Sequence, residues 1–367
     1  MAISKIPSAG FQDNVKFRNI IINGDMSIAQ RGTSATGLGN GDSGYHTVDR
    51  WRYSEGGTTT SEFTQSQSTD VPTGQGFATS LKMDCTTAQS SLNASNYIVL
   101  PQRVEGQNLQ YLKKGTANAE STTLSFWVKS NKTGTYTIDL FDNDNTRQIS
   151  KTYTINSAST WEKKTITFEG DTSSAFDNDN ARSLDFNFWL CAGTDYTSGT
   201  LSTTWTASTN ADRVSSSQVN LADSTSNEWY ITGVQLEAGT SASDFEFLPH
   251  DVNLGRCERY YEVLADGSIG NSAFATASNY SSTFSYCGIM FRTIKRATPS
   301  IDQTTGTSYY RLYNNNTNDL FDSFVLSSVT KYGGRLNNAD TIGTNQGQSG
   351  WFETNNSDAF LATDAEL

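Results

Sequence analysis

Leu124, Phe126 and Val128 alternate with Ser125, Trp127 and Lys129, and the same period of two returns at Tyr136, Ile138 and Leu140. It returns again where Leu184, Phe186, Phe188 and Leu190 interleave with Asp185, Asn187 and Trp189. A period of two sends successive side chains to opposite faces of a strand. Strands with one apolar and one polar face are those of antiparallel sheets buried on one side and wet on the other, as in a sandwich. The pattern predicts strands over 134–141, 146–155 and 161–168, a shorter one where Leu81, Met83 and Cys85 alternate with Lys82 and Asp84, and another at Tyr97–Leu100. Pro101 stops that last run, and the following 104–112 predicts one or two helical turns. Nearer the N-terminus, Asn19–Asn23 reads as an apolar strand, the Gly-rich 36–47 as a loop, and Val48–Tyr53 as a resumed strand.

Trp229–Pro249 divides the chain. β-Branched and aromatic residues run from Trp229 to Leu236 and give way to Gly, Ser and Thr, which predicts a closing strand and an extended exit. The apolar parity changes sides near Gly233, which points to a β-bulge or a close backbone approach. Beyond Pro249 the rhythm is new: 255–264, 284–295, 308–315, 322–330, 350–356 and 358–367 each read as a strand, separated by Asn, Gly and Asp turns. The fold class is therefore all-β, with a sandwich over 19–250, a smaller C-terminal β-domain over 251–367, and a short arm of mixed character over 1–18. No heptad repeat runs through the sequence, so any trimer would form by side-by-side β packing.

Composition sharpens this picture. Only 17% of residues are charged while 11% are aromatic, the opposite of a disordered chain. A net charge of −12 argues against a nucleic-acid partner, and the basic cluster Arg292–Arg296 reads as a solvated strand face. No apolar run approaches the ~20 residues of a membrane span, and the N-terminus lacks the apolar core of a signal peptide, so a soluble protein made in a reducing compartment is expected. Cys85, Cys191, Cys257 and Cys287 have no metal-ligand spacing and read as buried small hydrophobes.

Several short landmarks occur in a telling order: Asn23-Gly24-Asp25, Gln30-Arg31-Gly32, Asp49-Arg50-Trp51 and Thr232-Gly233-Val234-Gln235-Leu236-Glu237. Together they resemble the carbohydrate-binding-module-like jelly-roll domain of bacteriophage tail fibres and other virion appendages. Arg256-Cys257-Glu258-Arg259-Tyr260-Tyr261 and the terminal Asp364-Ala365-Glu366-Leu367 resemble the C-terminal part of the same proteins. The resemblance implies a jelly-roll sandwich, a homotrimer, an N-terminal arm bound to other virion proteins, and a place on the particle surface. It implies attachment to a host cell-surface glycan or receptor, with the C-terminal domain as the receptor-facing tip. A capsid fibre or decoration protein and the carbohydrate-binding module of a secreted bacterial enzyme are the rival readings.

Catalysis is not expected: there are two histidines, His46 and His250, and no GxSxG, HExxH or P-loop pattern. The repeated Phe141–Asn145 and Phe176–Asn180 loops (FDNDN), placed at one end of the domain by strand alternation, and Asn23-Gly24-Asp25 offer oxygen ligands for a structural calcium. The alternative is plain turns, since Asp and Asn bond their own backbone. Sugars stack their C–H faces on aromatic rings and meet amide and carboxylate groups with their hydroxyls. Trp127 and Trp189, on the polar parity of their strands, are glycan-binding candidates, the other reading being burial against a neighbouring subunit or loop. Tyr309, Tyr310, Tyr313 and Trp351, in Asn-rich surroundings of the C-terminal domain, are receptor-binding candidates, with core packing as the other reading.

Overall fold

The computed structural model describes residues 17–367, so the expected arm lies, apart from Phe17 and Arg18, outside the described residues. The chain forms two compact units. One comprises 17–27, Ser34–His46 and Trp51–Leu248; the other comprises Ile28–Thr33, Thr47–Arg50 and Pro249–Leu367. The first unit contains β1 (Ser34–Gly39), β2 (Gly44–Tyr45), β3 (Arg52–Gly56), β4 (Glu62–Ser68), β5 (Ser80–Thr87) and β6 (Tyr97–Glu105). It continues with β7 (Thr122–Ser130), β8 (Gly134–Asp142), β9 (Arg147–Ile155), β10 (Glu162–Phe168), β11 (Arg182–Ala192), β12 (Thr206–Ala207) and β13 (Glu228–Ala238). A six-stranded sheet ordered β1-β4-β5-β13-β7-β10 faces a seven-stranded one ordered β12-β9-β8-β11-β6-β3-β2, the sandwich that the alternation predicts and the jelly-roll class that the resemblance implies.

The apolar parity of the central strands forms the core. Phe126 of β7 meets Tyr153 of β9 and Phe188 of β11 edge-on, with ring centroids 5.1 and 5.2 Å away. Trp229 of β13 packs on Phe188 at 5.7 Å and donates its indole N–H to the Tyr153 hydroxyl. Each such side chain contributes on the order of 1.5–3 kcal/mol by leaving water. The opposite parity departs from the sequence reading: Asp185, Asn187 and Trp189 are buried rather than wet. Residues 193–219, including the single turn α1 (Thr194–Thr197), pack on that outer side. There Val219 donates its amide to the Thr135 carbonyl and Gln218 its side-chain amide to the Trp189 carbonyl. Periodicity separates two faces; it carries no information about what later covers the second.

Strand β13 is not an edge but sits between β5 and β7. Its register against β7 slips between Thr232 and Gln235, the predicted bulge, with Gly233 at φ +63°. A Cβ there would lie 2.5 Å from the Phe77 ring, so both the backbone and the space require glycine. Gly24 answers it from the first landmark: its carbonyl accepts the Val234 amide, and a Cβ on Gly24 would sit 2.1 Å from the Val234 carbonyl oxygen. The run Asn19–Asn23 is buried but is not a strand. Gln102 takes the place of a partner strand, accepting from the Ile22 amide and donating to the Ile22 carbonyl. The Gly-rich 36–47 likewise is not all loop, since it supplies most of β1 and all of β2.

In the second unit 255–264 is not one strand. Helix α2 (His250–Glu258) occupies its first part, burying Asn253 and Cys257 one turn apart, with Asp251 in the first turn and Arg256 in the last as the helix dipole favours. After it come β14 (Tyr261–Asp266), β15 (Ala273–Asn279), β16 (Ser285–Met290), β17 (Ser300–Gln303) and β18 (Tyr310–Asn314). Strands β19 (Thr317–Phe321), β20 (Phe324–Ser327), β21 (Gly333–Asn338), β22 (Ser349–Thr354) and β23 (Phe360–Asp364) complete it. They make a sheet ordered β14-β23-β17 and another ordered β19-β18-β22-β15-β16-β21-β20 over a core that includes Tyr310, Phe321, Phe324, Phe352 and Leu361. Arg292–Arg296 follows β16 as irregular chain, not as a solvated strand, and Lys295 is fully buried against the Glu262 carboxylate. Arg31 and Arg50 stack on Tyr261 and Tyr260, each 3.5 Å from the ring centroid, and both pair with Glu366. All four cysteines are free and buried.

Candidate functional site

The buried polar parity of the seven-stranded sheet forms the floor of a groove on the first unit. Antiparallel register aligns Phe141 of β8, Asp185 of β11 and Arg103 of β6 in one row. The next row pairs Asn187 with Pro101, and the next runs from Trp189 through Val99 to Ser54 of β3. Tyr97 and Tyr196 stand over this floor, edge to face at 5.2 Å, and both pack on Trp189, at 5.8 and 5.5 Å. Asn210 and Arg213 from the covering segment close the rim, leaving a groove of about 170 Å³.

Its charges are arranged in pairs. Arg182 grips Asp185 with two guanidinium nitrogens. Arg213 donates to one oxygen of Asp139 at 3.1 and 2.8 Å, while the Trp189 indole donates to the other at 2.5 Å. The Arg213 guanidinium also lies over the Trp189 and Phe141 rings. Arg103 lines the same groove. Burial, and next the positive charge of Arg182, depress its pKa below that of an ordinary arginine. Burial, and then Tyr97, raise the Tyr196 phenol. The Asn187 side-chain amide nitrogen is buried with no hydrogen-bond partner in the structure. A buried donor left in that state costs about 1–3 kcal/mol, a cost that a ligand acceptor in the groove would remove.

Of the predicted binding residues, Trp189 reaches this groove, though not as a free platform. It is only 2% exposed, because Tyr97, Tyr196 and Arg213 cover it. Trp127 is half-buried on the other sheet, beside Lys163 and Thr232, so the two tryptophans do not come together. In the second unit Tyr310 is wholly buried, its hydroxyl donating to the Thr304 and Phe360 carbonyls, which makes it a core residue rather than a surface one. Tyr309 is half-buried. Tyr313 and Trp351 are cross-strand partners on β18 and β22, 36% and 50% exposed. The accessible rings of the groove, Tyr97 and Tyr196, and its arginines have little sequence signal. Tyr97 opens an apolar run, and Tyr196 lies in the single turn α1, in a stretch of sequence without a period.

The two FDNDN loops do lie at one end of the sandwich, where the Asp177 amide donates to the Asp144 carboxylate. The first is built as a turn: one oxygen of Asp142 accepts the Asp144 and Asn145 amides, and its carboxylate also pairs with the buried Lys114, while in the second the Asp179 carboxylate accepts the Ala181 amide. Lys114 bridges onward to Asp171, which Arg147 also holds. Burial alone would raise the Asp171 carboxyl, but hydrogen bonds from Arg147, the Ser173 amide and Lys114 prevail and keep it below its usual value. Among the described residues no three His, Cys, Asp or Glu side chains group as a metal ion would require.

Neither a protein-family model nor a curated protein matches the chain. Among solved structures, the enzymatically active domain of tailspike protein 4 from bacteriophage CBA120 is similar at 16% identity and a TM-score of 0.33, over 60% of this chain and 21% of the tailspike. The chain thus spans about a fifth of that protein's length. A family 30 carbohydrate-binding module is similar at 12% identity and a TM-score of 0.31, over 64% of this chain and 91% of the module. The family 11 carbohydrate-binding module of a Clostridium thermocellum cellulosomal cellulase is similar at 11% identity and a TM-score of 0.29, over 57% and 97%. At these values the likeness carries nothing about ligand or partner.

Proposed function

We propose that this chain is a non-catalytic glycan-binding protein of a bacteriophage particle and that its sandwich unit holds the sugar in the groove of Tyr97, Asn187 and Tyr196. The observation that carries the reading is the buried Asn187 amide, lacking any acceptor, beneath two half-buried aromatic rings. A sugar ring fits both needs: its C–H face stacks on an aromatic ring and its hydroxyl or ring oxygen accepts from the amide. The order of the sequence landmarks supports the placement on a phage tail fibre or spike, with homotrimeric assembly and an N-terminal arm toward other virion proteins. The exposed Tyr313–Trp351 pair supports a second, receptor-facing contact on the C-terminal unit. Such a protein attaches to a host through many weak contacts multiplied by copy number.

A glycan array followed by calorimetry on the full chain tests the groove. Tyr97→Ala and Tyr196→Ala should each weaken the best ligand about tenfold, and Asn187→Ala by roughly three- to tenfold, from a lost stacking surface and a lost hydrogen bond. Unchanged affinity in all three variants would overturn the assignment. Labelling of intact particles with an antibody to this chain tests the rest, and an absence from purified virions would defeat the phage reading.

A further inference from the structure

Three reactive side chains meet away from the groove, at the end of the sandwich that carries the FDNDN loops. Lys114 donates its ammonium to Oδ2 of Asp142, stands 3.1 Å from Oδ2 of Asp171 and donates to the Ser174 carbonyl at 2.8 Å. The side chains of Lys114, Asp142 and Asp171 are only 4%, 0% and 2% exposed. The Phe176 and Trp205 rings lie 4.8 and 5.2 Å from Nζ and close the pocket to water. The backbone around Lys114 is fixed as well: Gly115, at φ +82°, donates its amide to the Asp171 carbonyl, and a Cβ on it would sit 2.5 Å from the Ala175 nitrogen.

An amine, a carboxyl group and a second carboxylate in a dry pocket are the components of an amide condensation. A buried ion pair is costly to desolvate, and joining Lys114 to Asp142 removes both of its charges. The remaining charges balance before and after: Lys114 and Arg147 stand against Asp142 and Asp171, and afterwards Arg147 stands against Asp171. Oδ1 of Asp142 accepts the Asp144 and Asn145 backbone amides, both at 3.0 Å, the two-donor arrangement that stabilises a tetrahedral oxyanion. Lys114 and Asp171 also line a cavity of about 20 Å³, room for the one water that condensation releases.

Independently of the sugar reading, we propose that Lys114 and Asp142 condense into an intramolecular isopeptide bond that staples the segment before β7 to the end of β8. One ammonium proton passes along its hydrogen bond to Oδ2 of Asp142, leaving an amine and a carboxylic acid, the form that a dry pocket favours. The nitrogen lone pair attacks Cγ, and negative charge collects on Oδ1 between its two amide donors. Asp171 takes a second proton from Nζ and hands it to Oδ2, which departs as water while the Oδ1 carbonyl re-forms. One C–N bond replaces one C–O bond, nothing is oxidised, and the third proton stays on the amide nitrogen. The product keeps its partners, with Asp171 or the Ser174 carbonyl accepting from the new N–H and the same two backbone amides donating to the new carbonyl.

Mass spectrometry of the full chain, folded, incubated and then denatured, tests the bond. The chain should weigh about 18 Da less than its sequence, the mass of one water. Trypsin does not cut after an acylated lysine, so digestion should yield a branched peptide that joins residues 114–129 to residues 133–147. Lys114→Arg should restore the full mass and remove the branch, and Asp171→Asn should slow its formation about a hundredfold or more. The unmodified chain decides the matter even where a variant fails to fold. A full mass after prolonged incubation would overturn the inference, and so would a mass loss without the branched peptide, which an internal imide would give. Neither result bears on sugar binding in the groove.

Discussion

Asn187 belongs to the polar parity of β11, and alternation alone predicts its side of the sheet. Parity does not predict that the side is buried, and the cost of that burial is the residue's most informative property. A side chain kept for a ligand is destabilising when the ligand is absent. Asn187→Leu should therefore raise the unliganded chain's resistance to urea by about 1–2 kcal/mol while removing sugar binding, because an unpaired donor is exchanged for apolar surface of similar volume. Loss of stability in that variant would show that the amide is structurally satisfied. Trp189 teaches the same distinction. Its parity marks the correct face, yet the ring supports the groove from beneath, because Tyr196 and Arg213 reach it from residues too irregular to place from sequence.

Among the elements, β13 is the best read from sequence and its surroundings the worst. The change of apolar parity at Gly233 announces a bulge, and the bulge is there. What parity leaves out is Phe77, whose ring fills the space beside the glycine. Gly233→Ala combines a left-handed backbone at φ +63° with a Cβ 2.5 Å from that ring, so a destabilisation of about 2–4 kcal/mol is expected in chemical denaturation. A loss below ~0.5 kcal/mol would mean that the ring and backbone yield freely. Helix α2 and the run Asn19–Asn23, both read as strand from the sequence, depart from that reading for one reason. Short apolar segments satisfy either period, and what decides is whether a partner supplies backbone hydrogen bonds. The helix supplies its own, while Asn19–Asn23 takes them one by one from Glu246, the Leu236 carbonyl, the Asn19 side chain and Gln102.

At the scale of the whole chain, the landmarks scattered over the sequence gather into two structural clasps. Gly24 locks onto the bulge of β13 in the first unit. In the second, Arg31 and Arg50 meet Glu366 from more than 300 residues away, and Arg296 donates to the Ala365 and Glu366 carbonyls. Glu366→Ala should cost about 3–5 kcal/mol in the unit that contains Pro249–Leu367, since it strips a carboxylate from two largely buried guanidiniums. Limited proteolysis reads this out: cleavage within 249–367 should accelerate well before cleavage within 51–248, and equal rates in both would reject it.

The all-β class, the sandwich, the bulge at Gly233 and the buried cysteines follow from local order in the sequence, because side-chain period and glycine conformation are properties of neighbours along the chain. The groove does not follow from it. Its floor comes from three strands whose register is settled by pairing, its walls from Tyr97 and an irregular segment, and its charge from arginines at positions 103, 182 and 213. Only the closing of the sheets brings such distant residues within bonding range, and burial and electrostatic pairing, which depend on that range, are tertiary properties.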